Sequence, residues 1–315
     1  MRTIRPALAI CGATTALLAL AVASPASAAT ASTCTIAPVT DPTDITTVTD
    51  TTIDGTPGPD LIVCAFGVHE GTTVNGHDGD DVFTITVDPA SATSPNLGTL
   101  DGGPGNDAIT STDPRTSVGA RGNEGTMLGG EGDDVLTAEA PFGYGNAGTM
   151  DGGAGNNALS ATGLNAGNAG PMLGGEGDDT LLAVATSPTS IAGNGSTIDA
   201  GAGNDLVTAE GGLIGNSQTV ELDDGNDTFL ASGLNPVQGL GNGQFAVVRG
   251  GDGDDTITAE GVNRGNAGQL LGQNDEDNII ALGVTANSFT GLIDGGPDDD
   301  TCVLGGLNSG TVQNC

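Results

Sequence analysis

Apolar side chains recur along the chain in a fixed relation to a glycine turn. In residues 127–138, Met127 lies five positions before Gly132 and Leu136 lies four positions after it, with glycines and aspartates between them. The same arrangement can be aligned eleven times, centred on positions 58, 79, 105, 132, 155, 177, 203, 225, 253, 276 and 298. The spacings of 21 to 28 residues are typical of a repeat protein.

Two apolar positions flank each turn and indicate two short strands per repeat. Since alternate residues of a strand face the same side, stacked repeats would bury like residues on like in inner ladders, at about 1.5–3 kcal/mol for each large aliphatic side chain. The position before the turn is held by Ile53, Val74, Leu100, Met127, Met150, Met172, Ile198, Val220, Val248, Leu271 and Ile293. The position after it is held by Ile62, Phe83, Ile109, Leu136, Leu159, Leu181, Val207, Phe229, Ile257, Ile280 and Cys302.

These patterns predict an all-β fold, a right-handed parallel β-helix or β-roll solenoid of about eleven coils with 21–28 residues per coil. Helices are not expected, because glycine is frequent and no 3.6-residue period is present. Aromatic residues make up only 2% of the chain, too few for a thick core, but small aliphatic residues suit a thin one. The repeat domain is predicted at 52–304, after an extended lead-in at 29–51 and before a C-terminal cap at 305–315.

A second turn in each coil carries a Gly-Asn pair. Asparagine tolerates left-handed backbone geometry and hydrogen-bonds its own turn, so stacked copies are expected to form an asparagine ladder. The asparagines concerned are Asn123, Asn146, Asn168, Asn194, Asn216, Asn242 and Asn266.

Residues 1–28 have the pattern of a secretory signal peptide. Arg2 and Arg5 precede the apolar stretch 7–23, and Ala26-Ser27-Ala28 matches a cleavage site. No later apolar run approaches a membrane span, so a secreted, extracellular protein is predicted. The formal charge of −34 argues against nucleic acid and anionic lipid as partners and favours cations.

The four cysteines outside the signal region can pair in three ways. Coils about 4.8 Å apart would place Cys64 and Cys302 roughly 48 Å from each other, whereas a disulfide needs Cα atoms within about 7 Å. The predicted pairs are therefore Cys34–Cys64 at the first coil and Cys302–Cys315 at the last.

The turns themselves resemble a known calcium-binding repeat. Residues 129–137 fit the nonapeptide G-G-x-G-x-D-x-U-x of RTX (repeat-in-toxin, haemolysin-type) proteins, and residues 102–107, 174–179 and 250–255 fit its first six positions. Near matches occur at 76–81, 200–205 and 295–300, and a degenerate copy at 55–62. The resemblance covers about three-quarters of the chain.

In that family, Ca²⁺ lies between consecutive turns, held by the sixth-position aspartate and by backbone carbonyls. The resemblance implies as ligands the carboxylates of Asp60, Asp81, Asp107, Asp134, Asp179, Asp205, Asp227, Asp255 and Asp300, and the turn residues Gly103, Gly105, Gly130, Gly132, Gly175, Gly177, Gly251 and Gly253. The motif departs from the family in occurring once per coil, which allows one row of ions. Asn157 and Asn278 replace the sixth-position aspartate, and 221–225 and 273–276 lose the glycine pair, so weak or absent sites are expected there.

Electrostatics favours a cation independently of the resemblance. Like carboxylates stacked about 5 Å apart repel by about 0.8 kcal/mol in water and by several times more near protein. Oxygen ligands in a flexible glycine loop suit Ca²⁺ better than Mg²⁺ or a transition metal. The alternative is a row of solvated acidic turns without metal.

Two other functions compete with a structural calcium-binding role. Outward threonines at 52, 73, 99, 126, 149, 197 and 219, and at 84, 110, 137, 208 and 258, could form a surface that recognises ice, carbohydrate or another extracellular surface. Threonine is also a good exposed strand residue. A polysaccharide-acting enzyme is not expected, because such sites need Lys or Arg and the chain has no Lys. Arg115 and Arg121 share an inserted loop that is predicted to be solvated.

Overall fold

The structure, a computed structural model, describes residues 31–39 and 45–315, so the predicted signal peptide at 1–28 lies outside the described residues. The described residues form strands and turns without any helix, and they wind into about eleven stacked coils. This confirms the predicted all-β parallel solenoid. The described part of the chain accordingly holds no helix that could cross a membrane.

The first strand of each coil belongs to a sheet of twelve strands, in which neighbours run parallel. Its strands are β3 (Thr52–Asp54), β5 (Thr73–Asn75), β7 (Thr99–Pro104), β10 (Thr126–Glu131), β13 (Thr149–Ala154), β16 (Met172–Glu176), β19 (Ile198–Ala202), β22 (Thr219–Asp224), β25 (Val247–Asp252), β28 (Gln269–Asn274), β30 (Leu292–Asp294) and β32 (Thr311–Gln313).

The second strand of each coil belongs to a sheet of twenty strands. The second strands are β4 (Asp60–Cys64), β6 (Val82–Thr86), β8 (Ala108–Thr112), β11 (Val135–Ala140), β14 (Ala158–Gly163), β17 (Thr180–Ala185), β20 (Leu206–Gly211), β23 (Thr228–Gly233), β26 (Thr256–Gly261), β29 (Asn278–Asn287) and β31 (Thr301–Asn308).

The prediction of only two strands per coil is wrong for the central coils, which contain a short third strand ending at the ladder asparagine. These are β9 (Arg121–Asn123), β12 (Tyr144–Asn146), β15 (Ala166–Asn168), β18 (Ala192–Asn194), β21 (Ile214–Asn216), β24 (Leu240–Asn242) and β27 (Arg264–Asn266). Three residues are too few to show the alternation that marks a strand in sequence.

The core is thin and lies between the sheets. Met127 pairs with Met150, which pairs with Met172, and Leu136 pairs with Leu159 in the same way. All five are buried. Each coil therefore covers the apolar residues of the next, and the burial of each side chain depends on its neighbours in the stack.

The sequence alignment of the tenth repeat is wrong by one residue. Val248 pairs with Leu270 and Ile257 with Ile279, so Leu270 and Ile279, and not Leu271 and Ile280, hold the core positions. This turn lacks glycine to mark its register, and Gln273 and Asp275 themselves adopt the left-handed backbone, with φ of 94° and 72°.

Both predicted disulfides are confirmed, Cys34–Cys64 and Cys302–Cys315. The region described in sequence as an extended lead-in contains β1 (Ser32–Pro38) and β2 (Thr46–Asp50), where β1 pairs antiparallel with β4 and β2 pairs antiparallel with β1. At the other end, β31 runs to Asn308 and β32 pairs with β30, so the coil pattern continues beyond Leu304.

The inserted loop after β8 is only partly solvated, whereas the prediction was a solvated loop: residues 116–119 are exposed, but Asp113 and Arg115 are buried. Arg115 is 8% exposed, and its Nε donates to Asp113 Oδ1 at 2.8 Å. Asp113 also accepts the backbone N–H of Arg121 at 2.7 Å. The carboxylate satisfies both the guanidinium and the loop backbone, so the loop closes over a buried ion pair whose charges compensate each other.

Candidate functional site

The turn between the first and second strands of each coil, here called the carboxylate turn, carries a row of buried acids. The row contains nine predicted aspartates and one that sequence alignment missed: Asp60, Asp81, Asp107, Asp134, Asp179, Asp205, Asp227, Asp255, Asp277 and Asp300. Asp277 occupies the place assigned to Asn278, which follows from the register error in the tenth repeat. In the coil between Asp134 and Asp179, the same position is held by an amide, Asn157, as predicted.

A continuous chain of hydrogen bonds joins the row. From Asp81 onward, one side-chain oxygen of each member accepts the backbone N–H of the aligned residue on the preceding coil, at 2.6 to 3.0 Å. Asp60, the first member, accepts instead from the N–H of Thr56 in its own turn. Asp107, for example, donates its N–H to Asp134 Oδ1 at 2.7 Å. These bonds fix one oxygen of every carboxylate, and they define the aspartate ladder.

The other oxygen of every aspartate in the ladder is buried and has no hydrogen-bond partner. It is Oδ1 in Asp60 and Oδ2 in the other nine. Buried polar atoms are normally paired, and leaving one unpaired costs about 1–3 kcal/mol, more for a charged group. Ten such atoms in one row require an explanation.

Glycine in the strand before the turn allows the carboxylate to approach this closely. A Cβ placed on Gly102 would lie 2.3 Å from Asp107 Oδ2 and 2.5 Å from the carbonyl oxygen of Gly129. Gly76, Gly129 and Gly250 show the same crowding by the carboxylate of their own coil and a carbonyl of the next. Carboxylate and carbonyl oxygens therefore converge on one small region in each coil.

The predicted glycine ligands lie in the same turn and serve its backbone geometry. Gly103 and Gly105 have φ of 100° and 145°, in the left-handed region that a side chain disfavours. The carbonyl oxygen of Gly103 would be 2.0 Å from a Cβ on Gly130 in the next coil. Glycine is thus required both for the turn and for the close stacking of its carbonyls.

Burial raises the pKa values of eight ladder aspartates, from Asp81 to Asp277. Loss of hydration is the main cause, the bond from the backbone N–H opposes it, and neighbouring carboxylates add to it. The pKa rises to about 7 for Asp81, Asp134, Asp227, Asp255 and Asp277, and to about 6 for Asp107 and Asp179. The pKa of Asp205 is raised as well. The ionised ladder is therefore unfavourable at neutral pH unless positive charge compensates it.

Asn157 shows what the ladder position needs. Its Oδ1 accepts the N–H of Asp134 as an aspartate would, and its Nδ2 donates to the carbonyl oxygen of Gly155 at 3.1 Å. The amide thus satisfies both of its polar atoms. An ionised carboxylate has no hydrogen to donate, so its second oxygen needs a proton or a cation.

A second ladder runs along the exposed rim of the same turns, and sequence analysis missed it. In eight coils, the residue directly before the ladder position accepts the backbone N–H of its counterpart on the following coil, at 2.7 to 3.1 Å. The acceptors are Asp80, Asn106, Asp133, Asn156, Asp178, Asn204, Asn226 and Asp254. These eight residues are all Asp or Asn, although the fifth position of the motif is free to vary. That restriction was the sequence signal from which the second ladder could have been predicted.

The donor set of the turn suits a hard cation, with one carboxylate per coil. Among the described residues, no group of three or more acidic, histidine or cysteine side chains could hold a metal ion. Further oxygens would therefore have to come from backbone carbonyls such as those of Gly103 and Gly129. Oxygen-only sets that include backbone carbonyls are what Ca²⁺ accepts and transition metals do not prefer.

The predicted outward threonines align in register from coil to coil, but each column is only one residue wide. Thr73 pairs with Thr52 and Thr99, and Thr126 pairs with Thr99 and Thr149. On the second strands, Thr110 pairs with Thr84 and Thr137. The first rank is interrupted at residues 171 and 247.

No protein-family model matches the chain, and no curated protein matches its sequence.

Proposed function

We propose that the protein is a secreted calcium-binding repeat protein with a structural or interaction role, in which Ca²⁺ is held between stacked carboxylate turns. Bound calcium would neutralise the aspartate ladder and bridge adjacent coils. The resemblance to RTX repeats supports the same assignment, and the proposal includes no catalytic step.

The unpaired oxygens of the ten ladder aspartates carry the proposal. Each is buried and has no donor. In seven of the ten, the unpaired oxygen and a carbonyl oxygen of the next coil crowd the same strand glycine. The ladder aspartates would supply the carboxylate oxygens, and the turn glycines would supply carbonyl oxygens. Asn157 supports the proposal, because its amide N–H satisfies a backbone carbonyl where the aspartates have no hydrogen to donate. A cation would fulfil the same need in the other coils.

The two disulfides support the secreted location, because such bonds persist in oxidising compartments. They close the first and last coils, where an open solenoid end would otherwise fray. Detection of the processed chain in culture medium, with its N-terminus at Ala29, tests this part of the proposal.

Thermal unfolding at neutral pH tests the calcium site directly. Calcium is expected to raise the Tm strongly over that of the chelated protein, and Mg²⁺ at equal concentration is expected to raise it much less. At free calcium about 100-fold above the Kd, each site adds about 2.7 kcal/mol to the free energy of unfolding. Equal unfolding curves in calcium and chelator would contradict the proposal and leave protons as the occupants of the ladder.

Asn157→Asp supplies a sharper test, because it restores the aspartate at the one neutral position. Calorimetric titration should then show tighter or additional calcium binding, while the chelated variant should be less stable than the parent chain. The exposed neighbour Asn156→Asp is the matched control and should change neither quantity appreciably. If both variants behaved alike, calcium would be responding to surface charge and not to the buried ladder.

Recognition of an uncharged surface is a second candidate, favoured by one observation. Two outward columns of second-strand residues contain no charged side chain, although the chain has 40 acidic residues. The columns are Leu61, Val82, Ala108, Val135, Ala158, Thr180, Leu206, Thr228, Thr256, Asn278 and Thr301, and Val63, Thr84, Thr110, Thr137, Ser160, Leu182, Thr208, Leu230, Thr258, Ile280 and Val303. Ice shaping, or retention on a neutral polysaccharide, that is abolished by Thr137→Lys would support it, and the absence of both activities would refute it.

A further inference from the structure

On the edge of the solenoid opposite the carboxylate turns, two of the turns that follow a ladder asparagine are longer than the others. From a ladder asparagine to the next buried residue of the first strand is normally four positions, as from Asn123 to Met127. It is six after Asn242 and after Asn287, which extends the asparagine ladder by accepting a hydrogen bond from Asn266. The turn between these two, which follows Asn266, has the ordinary length. Two projecting turns therefore flank a short one.

Each long turn carries a phenylalanine that contributes nothing to the core. Phe245 and Phe289 are 85% and 86% exposed. They lie two coils apart, a distance on the order of 10 Å along the stack. A single exposed apolar residue is ordinary on a protein surface, but an exposed aromatic ring gains significance where a cavity and polar groups lie beside it.

A cavity of about 320 Å³ lies at this place. It is lined by Gln244 from one long turn, by Arg264 and Thr285 on neighbouring strands, and by Ser288, Phe289 and Thr290 from the other long turn, with Ser309 beyond them. Its volume falls in the range of about 300–1,000 Å³ found for small-ligand sites. No carboxylate lines it, although the chain has 40 acidic residues.

Arg264 differs from the other arginines of residues 31–39 and 45–315. Arg115, Arg121 and Arg249 each form an ion pair with a carboxylate. Within the same residues the exposed Arg264 side chain has neither an ion pair nor a hydrogen bond, and neither does the Gln244 amide. In such an acidic protein, a guanidinium kept free of carboxylates beside a cavity points to an anionic ligand group.

The asparagine ladder holds the walls of this cavity in place. Asn242 Nδ2 donates to Asn266 Oδ1 at 3.0 Å, and Asn266 Nδ2 donates to Asn287 Oδ1 at 3.2 Å. Thr290 Oγ1 donates to the carbonyl of Ala267 at 2.9 Å and lies 3.4 Å from Ser288 Oγ, which leaves it one further lone pair as an acceptor. A ligand would meet a site whose polar groups are already positioned.

We propose that this cavity binds an acidic oligosaccharide, a glycan in which a sugar ring carries a carboxylate. The guanidinium of Arg264 would bind the carboxylate through paired N–H donors. The Phe289 ring would offer an apolar surface to the face of the sugar, and Gln244 and Thr290 would bond its hydroxyls. Repulsion from the acidic turns is screened over about 8 Å at physiological salt, and those turns lie on the opposite edge of each coil.

Titration calorimetry tests the proposal with a glucuronate-containing tetrasaccharide and with the same tetrasaccharide after its carboxyl groups are reduced to alcohols. The intact chain should bind the acidic form at least about tenfold more tightly than the reduced form. Arg264→Gln should remove that preference, and Phe289→Ala should weaken binding of both forms. Both side chains are exposed, so neither change is expected to prevent folding.

Two matched variants control for general effects of charge and aromatic content. Arg249→Gln removes an arginine on the other sheet, and Phe66→Ala removes a phenylalanine that is 70% exposed near the first coils. Both should bind like the parent chain. The proposal is overturned if neither tetrasaccharide binds, or if Arg264→Gln binds the acidic form unchanged. Unchanged binding by Arg264→Gln would mean that the acidic glycan binds through cations held on the acidic turns. In that case, binding would disappear when the titration is repeated in chelator.

Discussion

The two edges of the solenoid solve the same stacking problem with different side chains. On one edge, each ladder asparagine donates its Nδ2 to the Oδ1 of the next, at 2.8 to 3.2 Å from Asn96 to Asn287. On the other edge, each aspartate accepts one bond and leaves one oxygen unpaired. An amide both donates and accepts, so an amide ladder completes itself. A carboxylate ladder does not, and it depends on something supplied from solution.

At Asn157, an amide occurs within the carboxylate edge, so both side-chain types can be compared in the same kind of turn. Its amide completes its own bonding within a row of carboxylates that do not. The difference between the edges therefore follows from side-chain chemistry and not from the shape of the turn. The following predictions change that chemistry, in order of decreasing expected effect.

The largest effect is expected from pH in the absence of calcium. The pKa of Asp134 rises to about 7 on folding, above its unfolded value of about 3.9, so the folded chain binds more protons between these pH values. The stability contributed by the ladder is then complete below about pH 4 and is lost as pH rises to about 7. Summed over the ladder this amounts to several kcal/mol. Chemical denaturation in chelator across this range measures it.

Calcium should reverse that trend, because a bound cation stabilises the ionised carboxylates. In saturating calcium the free energy of unfolding should hold steady or rise between pH 5 and pH 7. Repeating the series at high salt separates the buried ladder from the screened surface acids. A decline of equal slope with and without calcium would contradict the proposed function.

The asparagine edge should respond to charge and not to calcium. Asn194 Nδ2 donates to Asn216 Oδ1 at 2.9 Å and is buried, so Asn194→Asp removes a donor and places an acid against an acceptor. A loss of about 3–5 kcal/mol at neutral pH is expected. Urea unfolding should show the same loss with calcium and with chelator. Recovery of stability on adding calcium would mean that both edges bind cations, which would remove the contrast between them.

A single neutralisation within the aspartate ladder should have a smaller effect whose sign depends on calcium. The pKa of Asp227 rises to about 7 through burial, so Asp227→Asn removes a carboxylate that is unfavourable without a cation. The chelated variant should be more stable than the parent by about 1–3 kcal/mol. In calcium the variant should gain less from the ion. Asn226→Ala, on the exposed rim beside it, controls for loss of a side chain.

The exposed rim should give the smallest effect. Asn156 Oδ1 accepts the N–H of Asp178 at 2.8 Å in contact with solvent, and water can replace such a bond. Asn156→Ala should cost no more than about 0.5–1 kcal/mol, equally with and without calcium. A larger, calcium-dependent loss would show that the rim belongs to the ion site.

The sequence was sufficient to predict the candidate ladder wherever glycine marked the turn. Nine ladder aspartates, both disulfides and seven of the nine ladder asparagines follow from the repeat. Asn96 and Asn287 were missed, because Pro95 and Ala286 replace the glycine that precedes the other seven.

Asp277 could not be found from the repeat, because its turn replaces glycine with Gln273 and Asp275, and only strand pairing reveals its register. The buried ion pair of Arg115 and Asp113 was also missed, since it occurs in one inserted loop and has no counterpart in other coils.

By itself, then, the sequence determined everything that repeats: parallel coils, the apolar ranks within them and an acid at almost every turn. Repetition is informative because each copy must satisfy the same contacts with its neighbours. Only the tertiary structure decided which carboxylate oxygen is left without a partner and that two long turns border an open cavity beside Arg264. These features depend on distances between atoms of different coils, which no pattern within a single coil specifies.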